Sequence, residues 1–132
     1  MSQTTKRYRI YGAEMSPYSV KVRSYFRYKE IPHEWIIRNA ATQAEYQKYA
    51  KLPIIPLVVT PEDQGMQDST PIIEYLEALH PQPTIHPSDP VAAFVSALLE
   101  EFGDEWGTSG CSTTAGRVKW ISSALPDGLR AL

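Results

Sequence analysis

The chain has 132 residues, enough for one domain and part of a second. Hydrophobic residues make up 42% and charged residues 21%, ordinary values for a globular protein, and a net charge of −2 gives no electrostatic footprint for nucleic acid or a membrane surface. A single cysteine, Cys111, excludes an internal disulfide framework and fits a reducing compartment, and no stretch approaches the roughly 20 apolar residues that span a bilayer.

At the N-terminus, Met1 to Arg7 carries charge with no apolar run behind it, so no secretory leader is expected. Tyr8-Arg9-Ile10-Tyr11-Gly12 is short, β-prone and closed by glycine, which predicts a strand. Ser16-Pro17 then sets a good N-cap residue before a proline at the first helical position. The helix is expected to run to about Glu30, with Tyr18, Val22, Tyr25 and Phe26 on its apolar face, and Pro32 stops it. His33 to Arg38 is a second strand.

Thr42-Gln43-Ala44-Glu45 has the spacing of a capping box and opens a short helix to about Lys51. Leu52 to Thr60 is too apolar at its end for a surface loop, and Pro56 breaks any helix, so a strand buried on both faces is expected there. Pro61 to Gly65 turns the chain, and Met66-Gln67 starts the partner strand of a hairpin. Ser69-Thr70-Pro71 opens a helix with Ile72, Ile73, Leu76 and Leu79 on one face, ending at His80-Pro81. The order is βαβ, α, ββ, α, which favours a sheet covered by helices.

Prolines crowd residues 81–90 in a linker, after which Asp89 caps a further helix. Val91, Phe94, Val95, Leu98 and Phe102 give that helix a strong apolar stripe. Residues 107–116 are all small, and the remainder, Arg117 to Leu132, reads as a tail with at most a weak strand or helix turn around Val118 to Ile121; Cys111 is an inert or exposed thiol. His33, His80 and His86 are scattered without metal-ligand spacing, so no metal is assigned.

Three motifs together give a resemblance. Ser16-Pro17-Tyr18-Ser19, Ile55-Pro56 and Asp68-Ser69 resemble, in order and spacing, the active-site turn, the Val-Pro pair and the acid-serine pair of glutathione S-transferases. Residues from about 8 to 106 are similar to the thioredoxin-like N-terminal domain of that family, with the linker and first helix of its all-helical second domain. The resemblance implies an α/β, thioredoxin-like βαβ-α-ββα domain over 6–81, a linker over 82–89, a first helix of a truncated helical domain over 90–106, and a tail over 107–132.

It also implies a function. Ser16 is the expected donor to the thiolate of glutathione, a thiol whose ordinary pKa near 8.5 a helix N-terminus lowers; otherwise it is a plain N-cap. Ser19 is the weaker candidate, and Tyr11 and Tyr18 are further hydroxyls. A cis Pro56 would turn the backbone of Ile55 outward to pair with the cysteinyl backbone of glutathione; otherwise Pro56 only ends strand pairing. Asp68 and Ser69 would hold the γ-glutamyl ammonium and carboxylate; otherwise they are a helix cap. The position that often carries Lys or Gln in the family is the apolar Ile54, which leaves Lys51 or Arg38 for the glycyl carboxylate. Serines at 16 and 19 disfavour thiol-disulfide exchange, whose nucleophile is a thiolate. The implied activity is transfer of glutathione to a small electrophile in a cytoplasmic homodimer without metal. The alternative is a non-catalytic binding or interaction module, inactive because its helical domain is incomplete.

Overall fold

Among residues 7–107, which the computed structural model describes, the elements run β1 (Tyr8–Gly12), α1 (Pro17–Tyr28), β2 (His33–Ile37), α2 (Gln43–Gln47), β3 (Leu57–Val59), β4 (Gly65–Gln67), α3 (Ser69–Leu79) and α4 (Pro90–Phe102), closed by a π turn over Gly103–Gly107. The four strands form one mixed sheet in the order β2-β1-β3-β4. β1 and β2 are parallel, and β1–β3 and β3–β4 are antiparallel. This is the thioredoxin-like α/β fold that the resemblance implies, and a sheet covered by helices as the order of elements favours.

Alternation along β1 and β3 divides the core between two faces. Ile10 and Val58 are register partners and share one face with Val22 and Phe26 of α1 and Ile72 and Leu76 of α3. Tyr11 and Leu57, the next pair, point the other way and pack with Val59 and with Tyr46 of α2. Both faces of β3 are therefore covered, and its three residues are fully buried. That explains why its sequence is continuously apolar instead of alternating.

The strand is shorter than the sequence suggests. Only Leu57–Val59 pairs, whereas Leu52 and Ile54 are 57% and 43% exposed in an irregular segment. Leu52 N, Leu52 O and Ile54 O are satisfied by side chains, so apolarity alone does not extend the ladder. α2 likewise stops at Gln47, and its capping box does not form. The Thr42 hydroxyl instead donates to Ile37 O at 2.9 Å, and Asn39 Oδ1 accepts from Ala41 N and Thr42 N. In α1 the buried face holds Ser19, Val22, Tyr25 and Phe26, with Ser19 taking the place expected for Tyr18. The helix ends at Tyr28, and Glu30 turns the chain with φ 55°. Leu79 of α3, expected on the apolar face, is half exposed.

A buried ion pair ties α1 to α3. Lys29 Nζ lies 2.6 Å from Glu77 Oε2, with side-chain exposures of 0% and 9%. The Tyr25 hydroxyl donates to the same oxygen at 2.7 Å, Ile85 N donates to Glu77 Oε1, and Lys29 also donates to the carbonyls of His80 and Pro83. Each charge thus has partners for its remaining hydrogen-bonding capacity, the condition under which a buried pair is tolerated. Burial pushes the Glu77 carboxyl up, but the Lys29 ammonium and Tyr25 hydroxyl outweigh it and hold it down, to about 2. Burial, and then Glu77 itself, push the Tyr25 hydroxyl up.

The chain divides into two units between Ile85 and His86. In the second, Asp89 accepts from Ala92 N at 2.8 Å to cap α4, as its sequence predicts. The expected tail beyond Gly107, with Cys111, lies outside the described residues.

Two outcomes follow for the ion pair. Lys29→Met leaves the Glu77 carboxylate buried without its cation and lowers stability by about 3 kcal/mol, measured by urea unfolding, and adding Glu77→Leu recovers part of the loss. Because the folded carboxyl titrates below its unfolded value of 4.5, its contribution is present above pH 4.5 and is lost as pH falls toward about 2. Urea midpoints between pH 6 and pH 2.5 fall more steeply for the native chain than for the double variant.

Candidate active site

The sheet register gathers three separate motifs at one end. Leu57, at the start of β3, pairs with Tyr11 near the end of β1 and with Gln67 at the end of β4. β2 runs parallel to β1, so its end lies there too, with Arg38 N donating to Gly12 O at 2.8 Å. The turn leading to Ser16, the Ile55-Pro56 pair, the Asp68-Ser69 pair and Arg38 therefore all leave the sheet at the same edge.

Ser16 caps α1. Its backbone is extended, and its Oγ accepts from Ser19 N at 3.3 Å. A hydroxyl has one proton to give and two lone pairs, so the cap uses acceptor capacity and leaves the O–H proton available. Capping and donation to a ligand are compatible at this side chain. The turn before it is held by Glu14, which receives two hydrogen bonds from the Arg23 guanidinium at 2.7 and 2.8 Å and one from Trp35 Nε1 at 2.9 Å. The hydrogen bond from Arg23 holds the Glu14 carboxyl below its usual range. Gly12 permits a close approach beneath: a Cβ there would stand 2.5 Å from Trp35 Cη2 and 2.9 Å from Ser19 Cβ.

The other hydroxyls are placed differently. Ser19 is fully buried, and its Oγ has no hydrogen-bond partner among the described residues. Tyr11 is buried edge-on to Tyr46, their ring centroids 6.1 Å apart, and burial pushes its hydroxyl up. Tyr18, expected as core, is half-buried and belongs to neither core cluster.

The Ile55–Pro56 bond is cis, and Pro56 is buried. Among the described residues no hydrogen bond uses the N–H or C=O of Ile55. Asp68 has φ 77° and ψ 129°, is exposed, and makes no side-chain cap hydrogen bond although it occupies the N-cap position of α3. The side-chain capping explanation for Asp68 therefore fails: only its carbonyl, which accepts from Ile72 N at 3.2 Å, bonds the helix. Ser69, the first residue of α3, is buried at 3% exposure.

Of the two cations considered for this end, Arg38 is half-buried and Lys51 exposed. The Arg38 guanidinium lies 4.6 Å over the Tyr46 ring, donates to Gln43 Oε1 at 3.3 Å, and reaches Pro53 O at 3.4 Å. Lys51 borders a cleft of about 380 Å³ with Leu52, Met66, Gln67 and Tyr75, which none of Ser16, Ile55, Asp68 or Ser69 lines.

Gln67 is the residue that sequence reasoning passed over. Its Oε1 accepts from Lys51 N and Leu52 N at 2.8 and 2.9 Å, and its Nε2 donates to Leu52 O and Ile54 O at 2.7 and 3.0 Å. The Tyr46 hydroxyl lies 2.9 Å from Leu52 O and 2.6 Å from Ile54 O. The only signal for Gln67 in the sequence is its place next to Asp68.

Comparison with known proteins fits this geometry. Residues 10–84 match the family model for the glutathione S-transferase N-terminal domain. Human glutathione S-transferase omega-2 is 34% identical over 97 residues, covering 71% of this chain and 40% of that protein. A glutathione S-transferase of Triticum aestivum is 34% identical over 80 residues, covering 61% and 37%. A glutathione S-transferase from Methylobacterium radiotolerans, solved in complex with glutathione sulfonate, superposes with a TM-score of 0.69 at 25% identity, over 95% of this chain and 57% of that one. A thioredoxin-like sheet with this order of helices and strands is the architecture of a glutathione S-transferase N-terminal domain. The chain belongs to the glutathione S-transferase family, and it spans about 40% of the length of the relatives it matches.

The backbone at Asp68 yields a stability test. A non-glycine residue at such a φ costs about 1–3 kcal/mol, and glycine returns part of that through its looser unfolded state. Since no cap bond is lost, Asp68→Gly is expected to raise stability by about 1 kcal/mol, read as a higher urea midpoint with unchanged slope.

Proposed function

We propose that the chain binds glutathione at this edge and activates its thiol for transfer to a small electrophile. The observation that carries the reading is the register through Leu57, which gathers Ser16, Ile55 and Asp68-Ser69 from three segments of the chain. Relatives solved with glutathione or its sulfonate bound support the ligand.

In this reading the cysteinyl backbone pairs with the free N–H and C=O of Ile55. The γ-glutamyl carboxylate meets the Ser69 hydroxyl and the start of α3, and its ammonium meets the exposed Asp68 carboxylate. Antiparallel pairing then sends the glycyl end toward Pro53 and Ile54, where Arg38 is the better placed cation because Tyr46 and Gln43 fix its guanidinium. The Ser16 O–H donates to the sulfur, and the N-terminus of α1 adds its partial positive charge. Both favour thiolate over thiol. The thiolate then attacks an electrophilic carbon: a C–S bond forms, and the leaving group departs with its electron pair or, in an addition, a proton neutralises the product. Glutathione in its thiol form belongs to a reducing compartment, in keeping with the lone cysteine.

A second reading, a glutathione-binding module without turnover, is favoured by one observation. Among the described residues the second unit contributes α4 and one π turn, and every apolar residue of the α4 stripe is exposed, Phe94 at 69% and Phe102 at 60%.

Calorimetric titration with glutathione, followed by a conjugation assay with an aryl halide, separates the readings. Binding with turnover supports the transferase, and binding without turnover supports the module. Failure of glutathione at 100 times its dissociation constant for the family's site to stabilise the fold by about 2.7 kcal/mol would remove the ligand itself. If turnover occurs, its rate rises with pH through a midpoint below the free-thiol value of about 8.5, and Ser16→Ala moves that midpoint up by about one unit. Arg38→Ala is expected to weaken glutathione about ten-fold with the midpoint unchanged, because it acts on the glycyl end only.

A further inference from the structure

The side chain that makes the most hydrogen bonds to the loop before Pro56 is also the residue next to Asp68. We propose that Gln67 is the positioning residue of the site: its amide sets the Ile55 backbone clamp in register with the γ-glutamyl end. This inference rests on the glutathione reading and adds to it a residue that touches no part of the ligand.

The argument starts from peptide geometry. Ile54 C=O and Ile55 N–H belong to one planar unit, trans at this bond, so the two groups point in opposite directions. Gln67 Nε2 at 3.0 Å and the Tyr46 hydroxyl at 2.6 Å hold Ile54 O inward, against β4 and α2. The Ile55 N–H is thereby aimed away from both, toward the space where the cysteinyl carbonyl would lie. Gln67 also accepts from Lys51 N and Leu52 N and donates to Leu52 O, so three of the four residues before Ile55 are fixed by the one amide.

The other end of the constraint is covalent. Gln67 is the last residue of β4, paired with Leu57, and Asp68 follows it directly. The loop 51–54 has no ladder of its own, and Leu52 and Ile54 are largely exposed, so burial does not hold it. Remove the amide, and the loop keeps only its contacts with the Tyr46 hydroxyl and the Arg38 guanidinium, neither of which lies on the β4–α3 segment, so the clamp and the γ-glutamyl holder are linked through the Pro56–Leu57 backbone and its pairing with β4. A ligand that must touch both ends at once then meets the cost of ordering the loop.

Gln67→Met keeps the length of the side chain and removes every hydrogen bond; Gln67→Glu keeps the acceptor for Lys51 N and Leu52 N and removes both donors. Glutathione dissociation constants are measured by calorimetry well below the melting temperature, with amide hydrogen exchange at Lys51, Leu52 and Ile55 on the same samples. The expected result is roughly ten-fold weaker binding for Gln67→Met, as for the loss of one to two net hydrogen bonds, with faster exchange at Lys51 and Leu52. Gln67→Glu weakens binding as well while Lys51 and Leu52 stay protected, and it serves as the test if the methionine variant does not fold. The thiolate absorbance of bound glutathione keeps its pH midpoint in both, since Ser16 lies on another element. A melting temperature that falls while the dissociation constant stays at the native value overturns the proposal. Absence of glutathione binding by the native chain overturns the site reading and this inference together, and is distinct from the case in which native and variant bind equally.

Discussion

Leu57 is paired on both sides, to Tyr11 and to Gln67, and the rest of the architecture depends on that double register. It makes β3 the central antiparallel strand of the three, forces its residues to be apolar on both faces, and fixes which ends of β1, β3 and β4 meet. A one-residue slip would exchange the two faces, taking Val58 out of the cluster with Phe26 and Leu76 and setting Leu57 in its place. The hydrophobic pattern thus protects the register, and the register assembles the site.

Around that edge the chain repeatedly uses side chains to satisfy backbone where regular structure stops. Asn39 holds the turn into α2, and Gln67 and Tyr46 hold the loop before Pro56. Short strands leave many such groups, because three ladder residues satisfy few neighbours. At Ile55, whose backbone makes no hydrogen bond among the described residues, the adjoining carbonyl of Ile54 is already engaged. Asp68 shows the converse: its carbonyl accepts from Ile72 N at 3.2 Å, yet it holds φ 77° with no side-chain cap bond to offset that backbone. Backbone held in that way clusters at functional positions.

What could be read from residues alone was uneven for physical reasons. The strands β1 and β2, helices α1, α3 and α4, and the two working caps at Ser16 and Asp89 follow local rules of propensity, proline placement and capping, and the structure places them within a few residues. The capping box at Thr42 and the long strand from Leu52 did not form, because each depended on a competition that local sequence does not record: Ile37 O for the Thr42 hydroxyl, and Gln67 for the backbone of Leu52. Tyr18 and Ser19 exchanged roles for a similar reason, since Gly12 opens room under α1 at Ser19.

By itself the sequence determined the family, the order of elements and the identity of the three motifs, since these depend on residue type and spacing along the chain. Only the tertiary structure decided that the motifs share one edge, that the Ser16 hydroxyl keeps a proton while capping α1, and that the Asp68 side chain does not cap α3. It alone brought Gln67, from the far side of a hairpin, onto the loop before Pro56. Those are properties of strand register and of peptide orientation, which arise between segments distant in the chain and have no signature within any one of them.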